Sequence, residues 1–180
     1  RWQLQRGLVV LGRLPHLGDP HGIGVLRVGS DEVEQVARHR LGAALLEFGA
    51  QAAPTVARLA GDADPKRLAR LVEDKGPAPA GEVIASAFPQ WIAKKVGDEY
   101  QLASGTRAAF NSRAEWIAAA EVQRTKGGAV IREAEPIAFP QHRVVEETRA
   151  FLEDGKVRGR KITRVGAIEL SSTPVKLTPD

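Results

Sequence analysis

The densest run of chemistry-bearing side chains in this sequence is basic. Between positions 156 and 164 stand Lys156, Arg158, Arg160, Lys161 and Arg164, with no acidic residue among them. Cations spaced along an extended chain can follow a phosphate backbone, because each phosphate they neutralise releases a condensed counterion. The same run fits a solvated strand face equally well, since blocks of charge are commonly surface. A second concentration is aromatic. Two of the three Trp and the only Tyr fall between positions 88 and 121, in a chain whose aromatic content is 5%. Trp91, Tyr100 and Trp116 are either the main core anchors or a surface on which bases stack.

Patterns for catalysis are missing. A phosphate-binding loop needs Gly-x-x-x-x-Gly-Lys-Ser/Thr, whose backbone amides and Lys cradle the phosphates. Gly155-Lys156 is followed by Val157, and Ala150 stands where the first Gly belongs. No Ser sits in a Gly-x-Ser-x-Gly elbow, and the four His are scattered. His16, Asp19 and His21 are metal-ligand types close together, but Pro15, Gly18, Pro20 and Gly22 leave their geometry unset, so no metal site is expected. Gly22-Ile23-Gly24 has Arg27 where a dinucleotide fingerprint needs its third Gly. Adjacent acids such as Glu146-Glu147 point to opposite faces of a strand, and Glu153-Asp154 lies at a turn. The chain is expected not to be catalytic alone and to hold no cofactor of its own.

Composition sets the frame for these residues. With 180 residues, 43% of them apolar, the chain is long enough for one domain or two small ones around a real core. No Cys means no disulfide framework and no thiolate chemistry, in keeping with a reducing compartment. No apolar run approaches the roughly 20 residues that span a bilayer, and Gly7, Gly12 and Pro15 interrupt any signal-peptide core. A cytoplasmic monomer is expected. Met is absent even from position 1, so the chain is expected to be a fragment, a processed product or an incompletely read frame. The formal charge of +4 permits attraction to polyanions.

Residues 1–29 are rich in Gly, with apolar pieces at 8–11 and 23–28 that read as short strands or loops. Ser30 or Asp31 can cap a helix, and Asp31 with Glu34 has capping-box spacing. Val33, Val36, Ala37, Leu41, Ala44, Leu45 and Phe48 then share one helical face until Gly49. A second helix is predicted over 54–59. A third starts at Asp64-Pro65 and carries Leu68, Leu71 and Val72 to Gly76, with Lys66, Arg67 and Arg70 on a solvated face. Two Pro and two Gly in Gly76-Pro77-Ala78-Pro79-Ala80-Gly81 can continue neither helix nor central strand, which predicts a boundary there. A short helix over 82–88 stops at Pro89.

Beyond it, short runs at 91–96, 100–103, 116–122, 129–134, 144–152, 156–163 and 166–170 are separated by Gly, Asp, Asn or Pro, as strands of a small barrel or sandwich. Asp154-Gly155 has the composition of a type I′ hairpin turn. Ala118-Ala119-Ala120 also allows a helix continuing from Ser112.

Several of these segments together resemble a known family. Phe88-Pro89-Gln90-Trp91-Ile92-Ala93-Lys94-Lys95, Tyr100-Gln101-Leu102-Ala103-Ser104-Gly105, Glu115-Trp116-Ile117 and Arg132-Glu133-Ala134-Glu135-Pro136-Ile137 occur in the order seen after the motor domains of bacterial HrpB-type ATP-dependent, DEAH-like RNA helicases. The basic segment 155–160 and Val165-Gly166-Ala167-Ile168-Glu169-Leu170 resemble that family's closing strands. The resemblance covers about the last hundred residues. It implies an α+β chain: a small N-terminal helical region over 1–76, a remnant of the ratchet region, followed over 82–180 by a mostly β OB-like barrel (82–137) with a C-terminal strand extension. It also tips Ala118-Ala119-Ala120 to strand. Gln90 and Trp91 depart from the family's Asp and Arg, which leaves Trp91 to packing.

The implied function is that of a C-terminal accessory module that contacts nucleic acid beside motor domains lying outside this sequence. ATP and Mg would belong to those domains. Lys94, Lys95, Arg107, Arg158, Arg160, Lys161 and Arg164 would hold the backbone of single-stranded RNA or DNA while an exposed aromatic stacks on a base. The alternative is a structural or protein-docking module whose basic residues only solubilise it.

Overall fold

The computed structural model describes residues 30–62 and 64–176. The readings of 1–29, including His16, Asp19, His21 and Gly22-Ile23-Gly24, and the capping side chains of Ser30 and Asp31, lie outside the described residues. Helix α1 spans Ser30–Phe48. Leu41, Ala44 and Leu45 are buried on one face with Phe48 packed beside them, whereas Val36 one turn earlier is exposed. Gly49 ends the helix at φ +78, where a Cβ would stand 2.4 Å from the carbonyl oxygen of Glu73. Helix α2, Ala53–Ala60, has Pro54 in its first turn and left-handed Gly61 as its C-cap. Both features fit the rule that Pro opens helices and Gly closes them.

Helix α3 is Pro65–Ala69, with the Asp64 side chain accepting from the Arg67 amide at 2.9 Å. The predicted start is therefore right and the predicted end at Gly76 is not. The chain beyond Ala69 turns back to the segment that follows α1 instead: the Ala50 amide donates to Glu73 O at 2.9 Å, and Gly49 bridges Asp74. Leu71 is left exposed.

Helix α4, Ala80–Ala87, is the central helix. Gly81, Val83, Ile84, Ala85 and Ala87 are all buried, because the helix contacts both α1 and the β region. At Gly81 a Cβ would lie 2.4 Å from Pro136 O, so only Gly lets the helix come this close.

Five strands close a barrel: β1 Ile92–Val96, β2 Glu99–Leu102, β3 Arg107–Ala109, β4 Trp116–Thr125 and β5 Gly128–Pro136. Their order is β1-β2-β3-β5-β4, with β3 and β5 parallel and the other pairs antiparallel. The interior holds Ala93, Tyr100, Leu102, Ala108, Ile117, Ala119 and Ile131. Small residues opposite large ones suit so narrow a barrel.

Strand β4 explains the apolar run. Residues 116–120 are all buried, yet Ile117 and Ala119 belong to the barrel interior while Trp116, Ala118 and Ala120 belong to the outer cluster with Val83 and Ile84. A strand covered on both faces reads as a continuous apolar run instead of an alternating one. The helix alternative at Ala118-Ala119-Ala120 is excluded.

A second antiparallel sheet follows: β6 Val144–Glu153, β7 Lys156–Val165 and β8 Ile168–Val175. Asp154 and Gly155 both have positive φ, as a type I′ turn requires. Val165 and Ile168 join the outer cluster with Trp116, Ile84 and Leu45, so one buried cluster runs from the helices through the barrel wall to this sheet. The architecture is α+β, helices first, then an OB-like barrel and a strand extension. No helix among the described residues is long and apolar enough to cross a membrane.

Candidate nucleic-acid interface

A side chain can hold phosphate to the extent that its charge is not already engaged. Alternation on β1 separates the first two candidates: Ile92 lies in the outer cluster and Ala93 in the barrel interior, so Lys94 follows the outer side and Lys95 the inner. Lys94 Nζ stands 5.9 Å from the centroid of the Trp116 ring, a cation–π distance. Lys95 Nζ donates to the Ser112 carbonyl at 2.6 Å. Arg107 is exposed on β3, opposite Gln101.

The four candidates on β7 all meet carboxylates of β6. Arg158 and Arg160 reach Glu153 at 3.4 and 3.6 Å, and Lys161 reaches Glu146 at 2.8 Å. Arg164 grips Glu147 at 2.7 Å while donating to Gly166 O at 2.6 Å. The Arg164 guanidinium, with Arg149 beside it, holds the Glu147 carboxyl below the usual carboxylate range against the opposing effect of desolvation. Strand alternation also places Lys161 on the opposite face from Arg158 and Arg160. Glu146, Glu147 and Glu153 are thus cross-strand partners of the basic run.

Two cations outside the sequence reading complete one end of the barrel. Ala129 of β5 pairs with both Ala108 of β3 and Arg124 of β4. That register brings Arg107 at the start of β3 to the same end as Arg124 and Lys126 of the β4–β5 hairpin. None of the three makes an ion pair with another described residue. The signal was available in Arg124-Thr125-Lys126-Gly127-Gly128, where one cation precedes a hairpin turn and a second stands in it.

The aromatics divide cleanly. Tyr100 is fully buried and its hydroxyl donates to the Ala114 carbonyl. Trp91 is half-buried with its ring centroid 5.2 Å from that of Phe88, and Gln90 accepts from Arg40 Nη1 at 3.1 Å. Both departures from the family pattern are therefore engaged within this structure. Trp116 is 5% exposed, but Phe139, edge-on to it at 5.5 Å, is 46% exposed. Together with Lys94, Glu115, Ile137 and Leu170 these two rings line a groove of about 610 Å³ between the barrel and β8. Among the described residues no group of His, Cys, Asp or Glu could hold a metal ion.

No protein-family model and no curated protein matches the chain. Solved structures do. The crystal structure of the E. coli DExH-box NTPase HrpB aligns over 87% of this chain with a TM-score of 0.61 at 18% identity, and a crystal structure of the Escherichia coli DEAH/RHA helicase HrpB over 87% with 0.52 at 19%. The chain shares its fold with part of HrpB. It spans 25% of the first HrpB chain and 22% of the second. The segments that resemble HrpB-type helicases in sequence fall on β1, β2, β4 and β5 of the barrel and on β7 and β8 of the second sheet.

Proposed function

We propose that this chain is an accessory module of an HrpB-type ATP-dependent RNA helicase, and that it holds single-stranded RNA or DNA by its backbone. The observation that carries this reading is the barrel end with Arg107, Arg124 and Lys126. It belongs to a closed barrel of the order β1-β2-β3-β5-β4, a type of scaffold on which oligonucleotides bind across the wall between strands 2 and 3 and its flanking loops. Cations without a carboxylate partner among the described residues can neutralise phosphates at no cost in broken ion pairs there.

Lys94, Lys95, Arg158, Arg160, Lys161 and Arg164 remain part of the proposed track. The ion pairs of Arg158, Arg160 and Lys161 are exposed and worth about 0.2 to 1 kcal/mol each, so a phosphate can displace or share a glutamate there. The likeness to structures described as an NTPase and a helicase supports a motor as partner. ATP and Mg belong to that motor, and residues 82–180 form the part that meets the strand. Cytoplasmic location and a monomeric state complete the reading.

A docking role has one observation in its favour: Phe151, Leu152 and Val157 are exposed near the tip of the β6–β7 hairpin. Fluorescence anisotropy with a labelled single-stranded RNA at several salt concentrations separates the two. Phosphate binding predicts affinity falling linearly with log salt, at about 0.7 per phosphate neutralised. No binding at low salt leaves the docking role.

A further inference from the structure

We propose that the groove between the barrel and β8 is a pocket for one unstacked base of a single strand, an inference that rests on the strand-holding reading above. Phe139 lies in the irregular segment after β5, and its ring is fixed at 72° to Trp116 with the centroids 5.5 Å apart. The buried indole thus orients a phenyl ring that remains 46% open. No described residue covers that surface, and a base has a π-face to lay on it.

The remaining lining matches the rest of a nucleotide. Ile137 and Leu170 supply apolar walls, and Lys94 supplies a cation for a phosphate. Glu115 supplies an acceptor for the amino or imino edge of a base. A pocket built only for phosphate has no use for two rings and two aliphatic walls, and one built only for an apolar side chain has no use for a lysine and a glutamate at the same groove. Its position is on the β1 and β4 side of the barrel, away from the wall of strands 2 and 3 that OB folds use. It therefore adds a contact to the backbone track without replacing it.

The test uses a labelled single-stranded RNA of about 12 nucleotides, within the roughly 4 to 16 that an OB fold covers. It is compared with a strand of equal length and charge that is abasic throughout. The unaltered 180-residue chain should bind the intact strand about five-fold or more tightly, the effect of a single stacked base. Phe139→Ala should abolish that difference without changing the salt slope, and Phe139→Tyr should restore it. Equal affinity of the unaltered chain for both strands overturns the base pocket while leaving the backbone-holding reading in place. A base-dependent difference that survives Phe139→Ala also overturns it. Absence of binding to either strand at low salt overturns both readings.

Discussion

Gly166 rests its backbone against Ala103: the neighbouring Ala167 amide donates to the Ala103 carbonyl at 2.8 Å, and a Cβ at position 166 would lie 2.6 Å from that same oxygen. This contact ties the β7–β8 turn to the β2–β3 turn, so it sets where the second sheet stands on the barrel. Everything built between them, the Phe139 groove included, depends on it.

Gly166→Ala is therefore expected to destabilise the chain by about 1 to 3 kcal/mol, the usual cost of a side chain forced into a poorly populated backbone region. Here φ is +55, and the added methyl would meet backbone and not a flexible side chain. Gly155→Ala has a comparable φ of +71 with open space around it, and isolates the conformational part of the cost. Denaturant unfolding of both variants measures the difference. A Gly166→Ala variant no less stable than Gly155→Ala would rule out the packing contribution.

The paired charges of the second sheet give a pH prediction. Glu147 has its folded pKa lowered, chiefly by its bond to Arg164. A depressed carboxylate pKa contributes stability that is present above the unfolded value and lost as pH falls through the folded one. Stability should therefore decline on acidification below the ordinary Glu range, and Glu147→Gln should flatten that part of the profile. Urea midpoints measured from neutral pH downward in both proteins check this, and parallel profiles would remove Glu147 from the account.

Trp116 is the largest side chain of the outer cluster, which also holds Ile84, Val165 and Ile168. Trp116→Ala should cost about 3 to 5 kcal/mol, as removal of a large core aromatic does. Ala119, from the same strand but inside the barrel, should resist enlargement: Ala119→Leu is expected to cost about 1 to 3 kcal/mol through overpacking. Melting temperatures of the two variants near that of the parent would show that β4 is not buried on both faces.

What was legible in the sequence follows the locality of the signal. Gly49, Pro54, Asp64-Pro65 and Asp154-Gly155 act on their immediate neighbours, and each marks the start or end it predicts. Strand β3 was not legible, because Arg107-Ala108-Ala109 has no β-branched or aromatic residue and is a strand only through its pairing with β2 and β5. The early end of α3 was hidden for the same reason, since the bridge between Gly49 and Asp74 spans residues distant in sequence. The partners of the β7 cations were within reach. A two-residue turn at Asp154-Gly155 fixes the hairpin register, which sets Glu153 opposite Lys156 and brings Glu146 and Glu147 alongside Lys161 and Arg164. The groove was beyond reach, because Phe139 follows the last barrel strand and comes to line one groove with Leu170 of β8 only through tertiary packing.

The remaining prediction distinguishes the two groups of cations. Arg107→Ala, Arg124→Ala and Lys126→Ala together remove three charges that have no described carboxylate partner, and Arg158→Ala, Arg160→Ala and Lys161→Ala remove three that do. The formal charge change is equal. The consequences differ, because the second set frees Glu146 and Glu153 to repel a strand while taking away cations whose charge they had shared. If the barrel end carries the phosphate track, the first set should flatten the salt dependence of RNA affinity by up to about 2 in the log–log slope, at about 0.7 per contact. The second should weaken binding with a smaller change in slope. Anisotropy titrations of the two triple variants at three salt concentrations give both slopes. A larger flattening in the Arg158, Arg160 and Lys161 variant would move the track from the barrel end to the second sheet.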